Sequence, residues 1–471
     1  MKISRLFKSL AATLLIGSIA AAAQTSQPKY IFYFIGDGMG MAPVQAAHVY
    51  KRLAQDDSSP LTMQTFPVAS AITTHSFNTP VTDSAAAGTA LATGHKTRNG
   101  MLGMNADSIP VYSIADQLAD MGYGIGLVTT VAPDDATPGA FYAHVPYRGM
   151  YKEIGEQAAD SRVSFLAGSA LRGAYDKEGQ STGLLEYIAS KGVAVTHSPD
   201  SVALLDSERV FLLAPSYFNT SNVGYTLDAR PDLMTLDQMT SAAISHLTAR
   251  HPDRFFLMVE GGNIDHALHS NDAATAIREV LAFDNTLRQA LEFYGEHPDE
   301  TLIVVTADHD TGGLSTGDKT VGYNAYPNLL AHQKISRDRL SILCEDIIAG
   351  REKTPSWPEM KRFLADNVGI FTAIELSADE EAALQADFSR IIEGKQSKDR
   401  AGLYAKHNEF ASIVFDMLND RAGFGWTTPD HTGNPVPVFA IGVGSDLFTS
   451  WGDNTDMPKR IMQAATREEA K

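Results

Sequence analysis

Residues 30–40 read YIFYFIGDGMG, and this stretch decides the fold of the chain. Its first six residues are all apolar or aromatic, which predicts a strand buried on both faces, as in a parallel sheet. The glycines that follow permit a tight turn and a close approach of the backbone. Asp37 is then a carboxylate at the carboxyl end of the strand, where parallel α/β sheets bind their ligands.

Similar apolar runs recur along the chain and alternate with helical patterns. Residues 235–250 and 273–294 are predicted helices, and Thr235 with Gln238 provides a capping box for the first of them. The alternation predicts an α/β fold in which a large, mostly parallel sheet lies between layers of helices. The further predicted strands are 126–130, 193–196, 210–214, 255–259, 301–306 and 436–441.

This alternation stops between about residues 316 and 427. The segment carries helical patterns without a convincing strand, which predicts a mainly helical insertion before the last sheet strand. We expect the insertion to belong to a single catalytic domain, 24–471. The helices predicted within it are 336–349, 359–367, 377–393 and 409–421.

The N-terminus differs in composition from the rest of the chain. A short basic region precedes an apolar run, 10–19, and a group of small residues that ends at Ala23. This pattern predicts a signal peptide, 1–23, cleaved near Ala23, and therefore a periplasmic or secreted protein. A buried N-terminal helix is the alternative. No later segment is long and apolar enough to predict a transmembrane helix.

The chain is acidic and nearly free of cysteine. Its formal net charge of −18 would become −21 on removal of residues 1–23, which hold three basic and no acidic residues. Such a charge disfavours nucleic acid and anionic membranes as partners at long range. Cys344 is the only cysteine, so no disulfide can form within one chain even in an oxidising compartment.

Carboxylates and imidazoles collect at the predicted strand ends. Asp265 and His269 lie four residues apart, which places both on one face of a helix. Mixed imidazole and carboxylate ligands suit Zn²⁺, whereas an all-oxygen subset suits Mg²⁺. Two ions about 3.5–4 Å apart can hold both the attacking and the leaving oxygen of a phosphoryl displacement. The candidate ligands are Asp37, Glu260, Asp265, His269, Asp308, His309 and His431.

A candidate nucleophile precedes an alanine-rich helical pattern in residues 82–94, TDSAAAGTALATG. Ser84 would lie at the helix N-terminus, where backbone N–H groups and the helix dipole favour a phosphate. A bound Zn²⁺ would lower the pKa of its hydroxyl and activate it without a histidine base. The alternative is that Ser84 or Asp83 only caps the helix.

Five segments, in order along the chain, resemble sequence blocks of the alkaline phosphatase family. The resemblance extends from about residue 30 to 444 and is weakest in the helical insertion. It implies an alkaline phosphatase-like fold and a phosphoric monoester hydrolase that works through a phosphoserine at Ser84. The segments are GDG at 36–38, DSAAAGTA at 83–90, EGGNID at 260–265, TADH at 306–309 and HTG at 431–433.

The resemblance also implies the cofactors, which are two Zn²⁺ and one Mg²⁺. Thr137, in the loop sequence DDATPG at 134–139, enters the ligand set only through this resemblance. The implied ligands are Asp265, His269 and His431 for the first zinc, Asp37, Asp308 and His309 for the second, and Asp37, Thr137 and Glu260 for the magnesium.

Three further residues follow from the resemblance. Arg148 would bind the phosphate, because a planar guanidinium matches two phosphate oxygens. Asp135 and His266 correspond to positions near the site that vary within the family and tune metal preference. The aspartate resembles one bacterial pattern and the histidine the mammalian one, so Zn²⁺ or Co²⁺ stays an alternative to Mg²⁺ at the third site. The family also implies a homodimer.

Other functions stay open. One is a phosphodiesterase or phosphotransferase of the same superfamily, although such relatives usually lack the Thr and Glu magnesium ligands and often the Arg. Another is a non-catalytic metal-binding or phosphate-binding protein of the cell envelope, which would be expected to have lost the nucleophile or a ligand. A sulfatase is excluded, because neither Ser84 nor Cys344 stands in a Cys/Ser-x-Pro-x-Arg context.

Overall fold

The computed structural model of the protein describes residues 27–215, 222–228, 233–395 and 408–467. The predicted signal peptide lies outside these residues, and the boundaries of the catalytic domain stay a prediction. The strands are β1 (Tyr30–Ile35), β2 (Val68–Thr73), β3 (Gly124–Thr129), β4 (Val163–Gly168), β5 (Ala194–Thr196), β6 (Val210–Leu213), β7 (Phe255–Glu260), β8 (Thr301–Thr306), β9 (Asp310–Thr311), β10 (Ser315–Thr316), β11 (Phe424–Gly425), β12 (His431–Thr432), β13 (Val436–Gly442) and β14 (Gly452–Asp453).

The helices flank the sheet and fill the insertion. None of those in the described ranges has the length and apolar character that a bilayer span requires. The α-helices are α1 (Met41–Ala54), α2 (Ser84–Thr93), α3 (Ile114–Asp120), α4 (Ala136–Gly139), α5 (Tyr151–Asp160), α6 (Leu184–Ser190), α7 (Pro199–Val202), α8 (Leu236–Arg250), α9 (Gly262–His269), α10 (Ala273–Glu296), α11 (Arg337–Ile348), α12 (Trp357–Asn367), α13 (Ala378–Ile392), α14 (Glu409–Ala422) and α15 (Asp456–Ala465).

Ten strands form one sheet in the order β14-β2-β13-β8-β1-β7-β3-β4-β6-β5. Strand β1 lies at its centre, parallel to both β7 and β8, and all its residues are buried. The strands β3, β7 and β8 are buried along their whole length as well. The predicted α/β fold with a large, mostly parallel sheet between helices is therefore confirmed.

Three strands of this sheet were missed by the sequence patterns, and their composition explains why. Strand β2, VASAIT, is only half-buried, and β4, VSFLAG, mixes small and polar residues with its apolar ones. Strand β14 has two residues, too few for any periodicity. It follows β13 in the chain and pairs with β2 in the sheet. The insertion precedes β13, the last of the predicted strands, which is antiparallel to β8.

The insertion is helical, and its ends are held together. Its helices α11 to α14 agree with the predicted ones to within a few residues. Outside the main sheet, β9 pairs with β12 and β10 pairs with β11, both antiparallel. The chain therefore leaves the sheet region after β8 and returns to it before β13 through two short, adjacent ladders.

Candidate active site

The register of the central strands brings the predicted carboxylates to one edge of the sheet. Ile35 at the end of β1 lies opposite both Glu260 of β7 and Thr306 of β8. Asp37 and Asp308 each follow their strand by two residues, so both extend from the same edge as Glu260. All three carboxylates are buried.

Two groups of potential ligand atoms lie at this edge. One consists of Asp265, His309 and His431, and the other of Asp37, Asp308 and His309; within each group the ligand atoms lie within 4.8 Å of one another. His309 belongs to both groups. Its Nε2 is 3.2 Å from Asp308 Oδ2 and 3.4 Å from Asp37 Oδ1.

His269 joins the first group from the same helix as Asp265. The spacing of four residues on α9 places its Nε2 3.3 Å from Asp265 Oδ2, as the sequence predicted. The Nε2 atoms of His269 and His431 are 3.0 Å apart. His431 lies on β12, which pairs with β9 beside His309, and its ring stacks on that of His309 with centroids 3.7 Å apart.

Hydrogen bonds to the Nδ1 atoms fix the tautomers of these histidines. His269 Nδ1 donates to the carbonyl of Pro429 at 2.6 Å, and His431 Nδ1 donates to that of Thr82 at 2.8 Å. A neutral imidazole that donates through Nδ1 presents a lone pair at Nε2. Two such lone pairs 3.0 Å apart repel each other, and a cation between them turns that repulsion into attraction.

Thr311 completes the same arrangement at His309. Its hydroxyl donates to Asp265 Oδ1 at 2.5 Å, so its oxygen accepts from His309 Nδ1 at 3.2 Å. The His309 Nε2 lone pair then points to the ligand cluster, as those of the other two histidines do. Thr311 was not singled out from the sequence, although it lies two residues after a predicted ligand.

Oxygen atoms on the other side of the site also lack protein partners. Burial raises the pKa of Glu260 to about 8 and that of Asp308 to about 7, and it raises the pKa of Asp37 well above the usual range. Such carboxylates are costly to ionise unless a cation accompanies them. Four of these buried oxygens make no hydrogen bond to a described residue: Asp37 Oδ1, Thr137 Oγ1, Glu260 Oε1 and Asp308 Oδ2. The donor set therefore fits bound divalent cations.

Ser84 lies at the first position of α2 and is buried. The preceding residue, Asp83, caps the helix by accepting from the Ala86 N–H at 2.9 Å, so the capping role that the sequence left open belongs to Asp83. Ser84 Oγ is 3.1 Å from Nε2 of His309, the residue that belongs to both ligand groups. Burial and the neighbouring His431 hold the pKa of His309 well below its usual range, which makes it a poor general base.

Arg148 approaches α2 from the loop before α5. Its Nη1 is 3.5 Å from Asp83 Oδ2 and its Nη2 is 3.0 Å from Asp135 Oδ1. Asp135 caps α4, the helix that carries Thr137, and accepts from the Ala136 N–H at 2.8 Å. Asp135 therefore connects Arg148, the candidate phosphate-binding residue, to the short helix that carries Thr137, a candidate metal ligand.

Arg172 also contacts Asp135, and the sequence analysis missed it. Its Nη1 donates to Asp135 Oδ2 at 2.8 Å. Burial alone would raise the pKa of Asp135, but Arg148 and Arg172 outweigh it and lower the pKa to about 2. The signal that the sequence offered was an arginine shortly after a strand, but that strand, β4, was itself missed.

His266 lies near Asp135 in a neutral state. Burial lowers its pKa to about 4, and its Nδ1 is 3.1 Å from Asn222 Nδ2. The ten predicted site residues and the two predicted metal-tuning residues thus converge on one region at the carboxyl edge of the sheet.

At this edge of the sheet, Ser84 and Arg148 lie beside buried carboxylate and imidazole groups that could hold a metal ion. The sequence model described as alkaline phosphatase matches residues 28–174 and 174–467, and the chain belongs to the alkaline phosphatase family. The protein is accordingly a phosphatase.

Relatives that match almost the whole chain support this assignment. Alkaline phosphatase 4 of Bacillus subtilis is 28% identical over 98% of this chain and 96% of its own length. The crystal structure of a cold-active alkaline phosphatase from Shewanella sp. superposes with a TM-score of 0.78 at 26% identity, covering 92% of this chain and 99% of that one. The alkaline phosphatase of Thermus thermophilus gives a TM-score of 0.74 at 27% identity, over 96% and 95% of the two chains.

Proposed function

We propose that the protein is an exported, metal-dependent phosphomonoesterase that forms a phosphoserine at Ser84. The observation that carries this proposal is the position of Ser84 Oγ, 3.1 Å from Nε2 of His309, the residue common to both candidate ligand groups. A hydroxyl at a helix N-terminus, beside clustered ligand atoms and an arginine, is suited to accept a phosphoryl group.

The metal content we propose is two Zn²⁺ and one Mg²⁺. Imidazole and carboxylate ligands suit zinc, and the hydroxyl and carboxylates around Glu260 suit magnesium. When bound, these cations offset the negative charge of the transferred group and favour the ionised forms of oxygen nucleophiles. The proposed ligands are Asp265, His269 and His431 for one zinc, Asp37, Asp308 and His309 for the other, and Asp37, Thr137 and Glu260 for magnesium.

The proposed reaction has two steps, in which Ser84, Arg148 and His309 have different roles. Ser84 Oγ, after loss of its proton, attacks phosphorus, and the ester oxygen leaves and takes a proton from water. Water next attacks the phosphoserine, which releases inorganic phosphate and restores Ser84. Arg148 orients the phosphoryl oxygens through its guanidinium group. Because the pKa of His309 is low, we assign it a ligand role and not that of a base.

Monoesters are the substrates we favour over diesters. A terminal phosphate presents three non-bridging oxygens, enough for Arg148 and for cations on both sides, whereas a diester lacks one of them. The presence of Thr137, Glu260 and Arg148 in one site supports this choice. A phosphodiesterase is the second candidate, and a non-catalytic envelope binding protein is the third.

An assay of paired substrates tests the proposal. An aryl phosphate monoester and the matching diester would be compared at mildly alkaline pH, before chelation, after chelation, and after Zn²⁺ and Mg²⁺ are restored. We expect fast monoester cleavage that chelation abolishes and the metals restore. Preferred cleavage of the diester would promote the second candidate. Bound metals without any cleavage would promote the third.

Replacing Arg148 by alanine is expected to weaken phosphate binding more than it alters the fold. Loss of a charge-assisted, two-bond contact should raise the inhibition constant of inorganic phosphate by about 10- to 100-fold. The measurement is competitive inhibition by phosphate, with the melting temperature taken in parallel. Arg162→Ala is the matched control, because Arg162 is a half-exposed partner of Asp120. Equal phosphate inhibition in Arg148→Ala and in the wild type would remove Arg148 from this role.

Export and dimerisation are further parts of the proposal. The N-terminal pattern supports cleavage near Ala23, and the family supports a homodimer. The mass of the mature protein recovered outside the cytoplasm tests the first, and light scattering of the metal-loaded protein tests the second. An uncleaved chain that stays in the cytoplasm would contradict export.

A further inference from the structure

We propose that Arg172 is a positioning residue for phosphate binding, because it prevents the Asp135 carboxylate from occupying the guanidinium of Arg148. The inference rests on the phosphatase function proposed above and assigns to Arg172 a role that acts through Asp135. Arg172 itself is not required to touch the substrate.

The geometry around Asp135 carries the inference. Asp135 is buried, with its side chain 6% exposed, and its carboxylate lies between the two guanidinium groups. Oδ1 accepts from Arg148 Nη2 at 3.0 Å and from the Ala136 N–H at 2.8 Å, whereas Oδ2 accepts from Arg172 Nη1 at 2.8 Å. Both oxygens of the Asp135 carboxylate therefore accept hydrogen bonds, and Arg148 and Arg172 compete for this carboxylate.

Arg172 is held in place independently of Arg148. The backbone N–H groups of Arg172 and Gly173 donate to the two oxygens of the buried Asp134 carboxylate, at 3.0 and 2.7 Å. The Arg172 guanidinium carbon lies 4.5 Å from the centre of the Tyr151 ring, a cation–π contact. These contacts anchor Arg172 at both its backbone and its side chain, so it can act as a fixed counter-ion for Asp135.

The consequence concerns the donors of Arg148. A carboxylate with two available oxygens binds a guanidinium through a two-bond fork, the same arrangement that a phosphate requires. Because Arg172 donates to Oδ2 of Asp135, only Oδ1 is left for Arg148, and the two-bond contact between Asp135 and Arg148 is disfavoured. Arg172 also balances the local charge, because Asp83 and Asp135 would otherwise place two negative charges against the single positive charge of Arg148.

The test uses the full-length, metal-loaded enzyme with Arg172→Gln, which removes the charge, and Arg172→Lys, which keeps it. We expect Arg172→Gln to raise both the KM for an aryl phosphate and the Kd for inorganic phosphate by about tenfold. We expect kcat to change by less than about threefold, and Arg172→Lys to show a smaller effect on Kd. An unchanged Kd in Arg172→Gln would overturn the inference.

A double-mutant cycle separates positioning from a structural role. In an Asp135→Asn background the carboxylate through which Arg172 is proposed to act is gone, so Arg172→Gln should change the phosphate Kd by less than about twofold. The same tenfold loss in that background would show that Arg172 does not act through Asp135. Arg209→Met is the stability control, because Arg209 donates to the carbonyls of Val163, Ala159 and Ala158. It should lower the melting temperature and leave the Kd unchanged.

The binding measurement keeps this inference separate from the proposed function. Phosphate binding by calorimetry does not depend on turnover. A wild-type protein that binds phosphate but cleaves no monoester would defeat the proposed function and leave the test of Arg172 readable. A lower melting temperature in Arg172→Gln without any change in Kd would give Arg172 a purely structural role and defeat the inference.

Discussion

Replacing Ser84 by alanine is expected to lower kcat by at least about a thousandfold and to abolish the phosphorylated form of the protein. The variant removes the only protein atom that the proposed reaction joins to phosphorus, while the buried ligand side chains stay in place. The measurements are turnover of an aryl phosphate monoester and the mass of the acid-quenched protein. Metal content should match that of the wild type, because Ser84 is not among the proposed ligands.

A buried serine at another helix N-terminus provides the control for this variant. Ser113 caps α3 through a capping box and is as buried as Ser84. Ser113→Ala should cost about 1 kcal/mol of stability and leave turnover intact. Wild-type turnover in Ser84→Ala would remove Ser84 from its role. An equal loss of turnover in both variants would point to damage of the fold instead of loss of the nucleophile.

Removing the metals is expected to make the stability of the protein fall as pH rises. Burial raises the pKa of Asp308 to about 7 and that of Glu260 to about 8 in the folded, metal-free chain. A carboxyl group whose pKa is raised by folding favours the folded state while it is protonated. That contribution is complete below the unfolded pKa, near 4, and is lost as pH rises through the folded value.

The metal-loaded protein should behave in the opposite way. Cations bind the ionised carboxylates, so binding strengthens as pH rises through the same range. A tenfold change in a proton-binding constant corresponds to about 1.4 kcal/mol, so we expect the stabilities of the two forms to differ by several kcal/mol more at pH 9 than at pH 5. The measurement is the melting temperature of chelated and reloaded protein across this range.

Two substitutions, Glu260→Gln and Glu279→Gln, separate the titration of the candidate metal site from that of a buried carboxyl group elsewhere. Glu260→Gln should flatten the pH dependence of the chelated protein, because it removes a carboxyl group that titrates in the site. Glu279 is a buried carboxyl group outside the ligand groups, with a pKa raised to about 7 by burial. Glu279→Gln should alter both forms equally. Parallel melting curves for the chelated and reloaded wild type would contradict the metal assignment.

Local patterns predicted the strands that are continuous apolar runs and missed those that are mixed in composition or very short. Strands such as β1 and β8 are continuous apolar runs because neighbours and helices cover both of their faces. Strand β2 shows no regular alternation of buried and exposed residues, and β14 consists of only two residues, which pair with β2. Strands of this kind are determined by tertiary contacts, which leave little trace in a short segment.

In the candidate site too, contacts within one helix could be predicted from the sequence, whereas contacts between distant segments could not. The spacing of Asp265 and His269 on α9 was readable from the sequence, and their atoms lie 3.3 Å apart as expected. The Pro429 carbonyl that orients His269 was not predictable, because it comes from a chain segment 160 residues away. Arg172 was missed for the same reason, because its place in the site depends on an ion pair with Asp135, which lies 37 residues earlier in the chain.

The two short ladders that close the insertion give this part of the chain a modular character. Strand β9 pairs with β12 beside His309 and His431, and β10 pairs with β11 at the entry and exit of the helical segment. A segment that departs and returns at one point can lengthen, shorten or be exchanged during evolution while the residues behind it keep their register. The same geometry makes the helical segment a natural place for protein engineers to graft new surfaces onto the enzyme.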